Sequence, residues 1–120
     1  MRDHHNLDAW KVAREVTELV ISASAHHWKP WASALFSQLQ RSSLSVQLNI
    51  AEGSTFGRSR NYTRFLGIAY GSAVETGEIL EMMVRTNVLP REMGEELQRL
   101  SKRSQQLLVG LLKHHRPFTT

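Results

Sequence analysis

The sequence contains no cysteine, only three prolines and seven glycines, and no stretch in which Val, Ile and Thr alternate with polar residues. Without cysteine there is no disulfide, thiolate nucleophile, iron–sulfur cluster or cysteine-ligated zinc, so a metal centre would need His and carboxylates. Without period-two alternation there is no half-buried strand. Long apolar runs are missing as well: Leu107 to Leu112 is among the longest, far short of the ~20 residues that span a bilayer. Met1 to Asn6 lacks the apolar core of a signal peptide. The expected location is the cytoplasm, with no membrane partner. What is there is 120 residues, read as one domain over 1–120, with 15 Lys and Arg against 11 Asp and Glu, a net charge of +4 and a pI near 10.0. A chain this basic admits an acidic polymer as partner.

Apolar and small residues recur at steps of three and four, which predicts four helices. Trp10, Ala13, Thr17, Val20, Ser24 and His27 mark the first, over about 7–27. Trp28-Lys29-Pro30 breaks it, with Pro30 in the first turn of a second helix over about 31–52. The inward stripe there is Leu35, Leu39, Ser42, Val46 and Ile50, and Gly53 suits a left-handed terminating residue. Ser54 to Arg60 reads as a basic loop. Asn61 is the expected cap of a third helix over about 61–86, with Phe65, Ala69, Ser72, Thr76, Ile79 and Met83 on one face. After Asn87 and Pro90, a fourth helix over about 90–115 carries Met93, Leu97, Leu100, Ser104, Leu107 and Leu111. The fold class expected is all-α, an antiparallel up-down-up-down four-helix bundle.

Three features exceed what a bundle core needs. Leu44 and Leu48 fall nearly opposite the inward stripe of the second helix and predict a second interface. Gln38, Arg41, Ser45, Asn49 and Glu52 fall within an arc of about 80° beside that stripe. They are expected to form a polar ladder against the third helix, with Glu75 meeting Arg41. Gly67 and Gly71, four apart inside the third helix, each cost about 0.8–1 kcal/mol relative to Ala. Two such costs on one side predict close approach of another backbone, within or between subunits.

The run Leu35 to Gly53, ending in Asn49-Ile50-Ala51-Glu52-Gly53 with Arg41 eight residues before Asn49, resembles the signature of the four-helix-bundle proteins encoded in intervening sequences of 23S rRNA genes. Leu7 to Ala13 and Phe65 to Glu75 resemble the family's first and third helices, so the resemblance covers nearly the whole chain; Thr76-Gly77-Glu78 departs from it locally. The resemblance implies a bundle that assembles into a homopentameric ring, without enzymatic activity. More distantly, the chain is similar to accessory proteins of diversity-generating retroelements. That similarity implies binding to RNA or DNA and to a nucleic-acid-processing protein.

Charge is unevenly spread: net 0 over residues 1–52, +3 over 53–65, −4 over 66–98 and +5 over 99–120. Arg58, Arg60 and Arg64, with Phe56 as a stacking group, suit phosphate oxygens, as do Arg99, Lys102 and Arg103 on the fourth helix. The expected mode is backbone electrostatics, since no base-reading motif is present. The alternative is a protein-interaction scaffold with no nucleic-acid role. The pairs His4-His5, His26-His27 and His114-His115 lack a Glu-x-x-His spacing, so no metal and no cofactor is expected. No nucleophile elbow or P-loop is present either, so no catalytic residue is assigned.

Overall fold

The computed structural model describes residues 3–57 and 59–114. They form four helices, α1 (Asp8–His27), α2 (Ser33–Gly53), α3 (Arg60–Arg85) and α4 (Arg91–His114), with short 3-10 turns at His4–Asn6, Pro30–Ala32 and Ser54–Phe56. Each helix packs on two neighbours, α1 on α2 and α4, and α3 on α2 and α4. α2 and α3 run in opposite directions, since Gln38 meets Glu75 while Ser45 meets Ser72. α3 and α4 do the same: Gly94 lies against Val84, and Gly77 faces Ser101 and Gln105. The molecule measures 50 × 22 × 21 Å.

The helix boundaries follow local chemistry, with three departures from the sequence expectation. Pro30 opens a separate 3-10 turn, and α2 begins three residues later at Ser33. Gly53 does not end α2 through a left-handed backbone; its φ is −59°. It is glycine because a Cβ there would lie 2.7 Å from Cβ of Phe65, so close helix contact selects it. The left-handed glycine is Gly57, at φ 66°. Ser59, not Asn61, caps α3: its hydroxyl accepts from the Tyr62 amide at 3.2 Å. Asn87 takes the left-handed turn after α3, at φ 59°, and lets the Val88 amide reach the Met83 carbonyl at 2.9 Å.

On α3 Ala69, Thr76 and Met83 are buried as expected, but the inward face is turned by about 50° from the expected one. Tyr62, Leu66, Ala69, Ala73, Thr76, Leu80 and Met83 are buried, while Phe65, Ser72 and Ile79 sit at its edge. On α4, Leu108 joins the core in addition to Leu97, Leu100 and Ser104. The core falls into two apolar regions. One is centred on Val16, Val20, Phe36, Leu39, Leu80 and Met83, the other on Trp10, Ile50, Tyr62, Leu66 and Leu108. Between them lies a waist of small residues and hydroxyls. Ala13, Val16, Ser43, Val46, Ala73, Thr76, Ser101 and Ser104 surround a void of about 10 Å³ there. Small side chains let all four helices approach at mid-length, and the hydroxyls bond to carbonyls: Thr17 Oγ1 donates to the carbonyls of Ala13 (2.9 Å) and Ser43 (3.2 Å).

Candidate functional site

The polar ladder of α2 exists, with a different partner at its end. Ser45 and Ser72 hydroxyls are 2.8 Å apart, and Asn49 Nδ2 donates to the Ser45 carbonyl (2.8 Å) and hydroxyl (3.1 Å). One step inward, Thr76 Oγ1 donates to Ser42 Oγ at 2.9 Å. Glu75 accepts from Gln38 Nε2, and among the described residues no ion pair joins it to Arg41. The reason is angular. Gln38 and Ser45 lie on the α3 side of α2, whereas Arg41 is turned toward water, where a long cation stays hydrated. Glu52 is exposed as well. The ladder is half-buried in its middle and solvated at its ends.

Exposed apolar side chains lie towards the end of α1 and in the turn after it (Ile21, Trp28 and Trp31), and also on α2 and α3. Leu44 is 43% exposed, Leu48 53% and Ile68, which periodicity had not singled out, 42%. Beside them Gly67 and Gly71 are exposed, and a Cβ built on either meets nothing within 4 Å. A close approach within the subunit is therefore ruled out as the reason for these two glycines. The outward backbone of α3 is bare there, flanked by unburied aliphatic side chains.

The candidate phosphate-binding residues do not form one patch. Arg60 and Arg64 are exposed on the first turns of α3; Arg58 lies outside the described residues. Their position opposes the helix dipole, whose positive end repels cations by about 0.3–1 kcal/mol each, and the first turn of α3 holds no acidic residue. Arg99, Lys102 and Arg103 are exposed on α4, near the level of Gly77, and thirteen residues or about 20 Å along α3 from Arg64. Arg99 is already engaged: its guanidinium reaches both carboxylate oxygens of Glu96, at 2.7 and 3.0 Å. That hydrogen bond holds the Glu96 carboxyl below its ordinary value. Lys102 borders a groove with Glu78 and Glu81, which offset its charge. Phe56 stacks on Phe65, with ring centroids 5.4 Å apart and planes at 10°, so one of its faces is occupied.

Histidine behaves differently at the two ends of α1. His26 Nδ1 lies 2.8 Å from the Ser22 carbonyl in the last turn. At the start, Asp3, His4 and His5 bring their donor atoms within 4.8 Å of one another. Asp3 caps the 3-10 turn, accepting from the His5 amide (3.0 Å) and lying 3.0 Å from His5 Nδ1. The backbone hydrogen bond, then the ring, hold the Asp3 carboxyl below its usual range. The carboxylate is thus committed to the turn. The spacing rule for bundle metal sites could not show this group, because a turn, not a helix face, gathers it.

A model of the 23S rRNA-intervening sequence protein family matches residues 5–110. The chain belongs to that family. The match spans α1, α2 and α3 entire and most of α4, and includes every candidate residue named above except those in the first turn, Asp3 and His4. Among solved structures, a protein with unknown function from the S23 ribosomal protein family of Bacteroides thetaiotaomicron VPI-5482 is 26% identical. The similarity covers 88% of this chain and 94% of that one, with a TM-score of 0.72. Among curated proteins none matches the chain. No helix among the described residues is long and apolar enough to cross a membrane.

Proposed function

We propose that this member of the 23S rRNA-intervening sequence family is a non-enzymatic, cytoplasmic bundle that assembles with copies of itself and binds RNA or DNA through phosphate electrostatics. The observation that carries self-assembly is the bare backbone at Gly67 and Gly71 beside exposed Leu44, Leu48 and Ile68. A monomer gains nothing from two solvent-facing helix glycines, each costing about 0.8–1 kcal/mol, whereas a neighbouring subunit repays both with close packing. The copy number implied by the resemblance is five. Nucleic-acid binding rests chiefly on Arg60 and Arg64, two exposed cations at the cationic end of a helix. Their charge is costly there unless an anion meets it. Repetition around an assembly multiplies a modest patch.

A second reading, a scaffold for another protein such as a nucleic-acid-processing enzyme, is favoured by the Arg99–Glu96 pair and by the Glu78 and Glu81 beside Lys102. These remove much of the α4 surplus. Native mass together with titration of RNA and DNA at several salt concentrations tests the proposal. The expected result is an oligomer whose affinity falls log-linearly with salt and weakens in Arg60→Ala/Arg64→Ala. A monomer, or affinity without a salt slope, overturns the corresponding half.

A further inference from the structure

The turn ahead of α1 gathers ligand chemistry that no helix face supplies. Asp3, His4 and His5 each offer a donor atom, all within 4.8 Å of one another. The 3-10 turn at His4–Asn6 stacks the two consecutive rings, with centroids 4.1 Å apart and planes at 33°. Both rings meet Trp10 edge to face, at 5.3 and 4.5 Å between centroids. Trp10 is 6% exposed and packs in the core, so the rings lean on a fixed wall and are oriented before any ion arrives. The Asp3 carboxylate lies 3.0 Å from His5 Nδ1. Two ligand atoms held about 2.1 Å from one ion stand about 3.0–3.4 Å apart in octahedral or tetrahedral geometry, so this pair already has the bite of a chelate. Hydrogen bonds from the His5 amide and ring hold the carboxyl below its usual range, and hence ionised. Its lone pairs are enough to cap the turn and to ligate at once.

We propose that Asp3, His4 and His5 together bind one divalent nickel, copper or zinc ion in the turn ahead of α1. Two imidazoles and one carboxylate suit these borderline ions, whereas magnesium and calcium take oxygen ligands. Water completes the shell, since Asp3 and His5 are exposed and His4 half-buried. As the ion enters, the proton on His5 Nδ1 leaves that nitrogen and the neutral ring carries its proton on Nε2. The ion thus replaces a proton between ring and carboxylate. The nearest cation on α1, Arg14, stands over the Trp10 ring at 5.0 Å and is paired with Glu18 at 3.3 Å, which offsets its charge. His26 and His27 do not form a comparable site. Their rings are 6.4 Å apart and His26 Nδ1 is turned to the Ser22 carbonyl. Among the described residues no other three His, Asp or Glu side chains gather as closely. The proposal depends neither on self-assembly nor on nucleic-acid binding.

Titration calorimetry of the full chain with zinc tests this, together with the fluorescence of Trp10 under copper. Trp28 and Trp31 are exposed, so Trp28→Phe/Trp31→Phe leaves Trp10 as the single indole reporter. The expected result is about one equivalent of zinc bound with a micromolar dissociation constant, and copper quenching of Trp10 that saturates at the same ratio and is reversed by a chelator. His4→Ala and His5→Ala are each expected to weaken zinc binding about 10-fold or more. Asp3→Asn keeps a side chain able to cap the turn but removes the anionic ligand. It is expected to weaken binding by a similar factor with Tm unchanged, which separates ligation from turn structure. His26→Ala/His27→Ala is expected to leave binding intact. Far-UV circular dichroism checks each fold, and should one turn variant lose helix, the other two decide. Binding that does not saturate in the micromolar range, that survives His4→Ala/His5→Ala, or that falls equally in His26→Ala/His27→Ala means an adventitious ion only and overturns the proposal.

Discussion

Replacing Gly53 by Ala adds one methyl group where the backbone has no need of glycine, since φ is −59° at this last residue of α2. On helix propensity alone the change gains up to about 1 kcal/mol. The structure reverses that sign. The new Cβ would stand 2.7 Å from Cβ of Phe65 and 3.3 Å from Cδ1 of Tyr62, against ~3.5–4.0 Å for a relaxed carbon contact. Phe65 Cβ sits next to the α3 backbone, and Tyr62 is fully buried, so relief requires α3 itself to move by nearly an ångström. Overpacking of that kind costs about 1–3 kcal/mol. The net expectation is a loss of about 1–2 kcal/mol, a fall of about 4–8 °C in Tm for a chain of this length. Gly110→Ala is the control. A Cβ there meets nothing within 4 Å, and the site lies away from the α2–α3 face, so it is expected to gain up to about 1 kcal/mol. Urea denaturation of both variants at one fixed protein concentration, read against the wild type, gives the comparison. Stabilisation by Gly53→Ala of the same size as by Gly110→Ala would refute the close-contact account.

Ser104 is 3% exposed and its Oγ has no hydrogen-bond partner among the described residues. Ser104→Ala should therefore be neutral or stabilising by up to about 1 kcal/mol, and a thermal melt showing a loss beyond that size contradicts it. Gln38→Ala and Glu75→Ala should couple by about 0.5–1 kcal/mol in a double-mutant cycle, whereas Arg41→Ala and Glu75→Ala should be additive; the reverse outcome would restore the ion pair expected from sequence. The Glu96 carboxyl, held by Arg99, should titrate below the ordinary 4.5 by NMR and return toward it in Arg99→Ala. A carboxyl with a lowered folded pKa contributes stability that is present above 4.5 and lost as pH falls through the lowered value.

Much of this was legible because a helix writes its burial into spacing. The inward residues of α1 and α2 recur at three and four, so their order and the all-helical class needed only the period. Spacing fails where two faces are nearly equal in polarity. On α3, Phe65-Ser72-Ile79 and Leu66-Ala73-Leu80 are parallel rows one residue apart, and only packing against α4 chose the second. The Arg41–Glu75 pairing failed for a related reason: a shared arc on a helix wheel does not say which side chain points at the neighbour and which at water.

By itself the sequence determined the four helices, their breaks near Pro30, Gly57 and Pro90, and the membership of the 23S rRNA-intervening sequence family, because these depend on local propensity and on strings of residues. Tertiary structure alone decided what each glycine is for. Gly53 admits the side chains of α3, Gly57 takes a positive φ, and Gly67 and Gly71 face open space. One letter serves all three, since the lack of a Cβ can satisfy a backbone angle, a neighbour inside the chain or a neighbour outside it. Only the positions of surrounding atoms tell these apart.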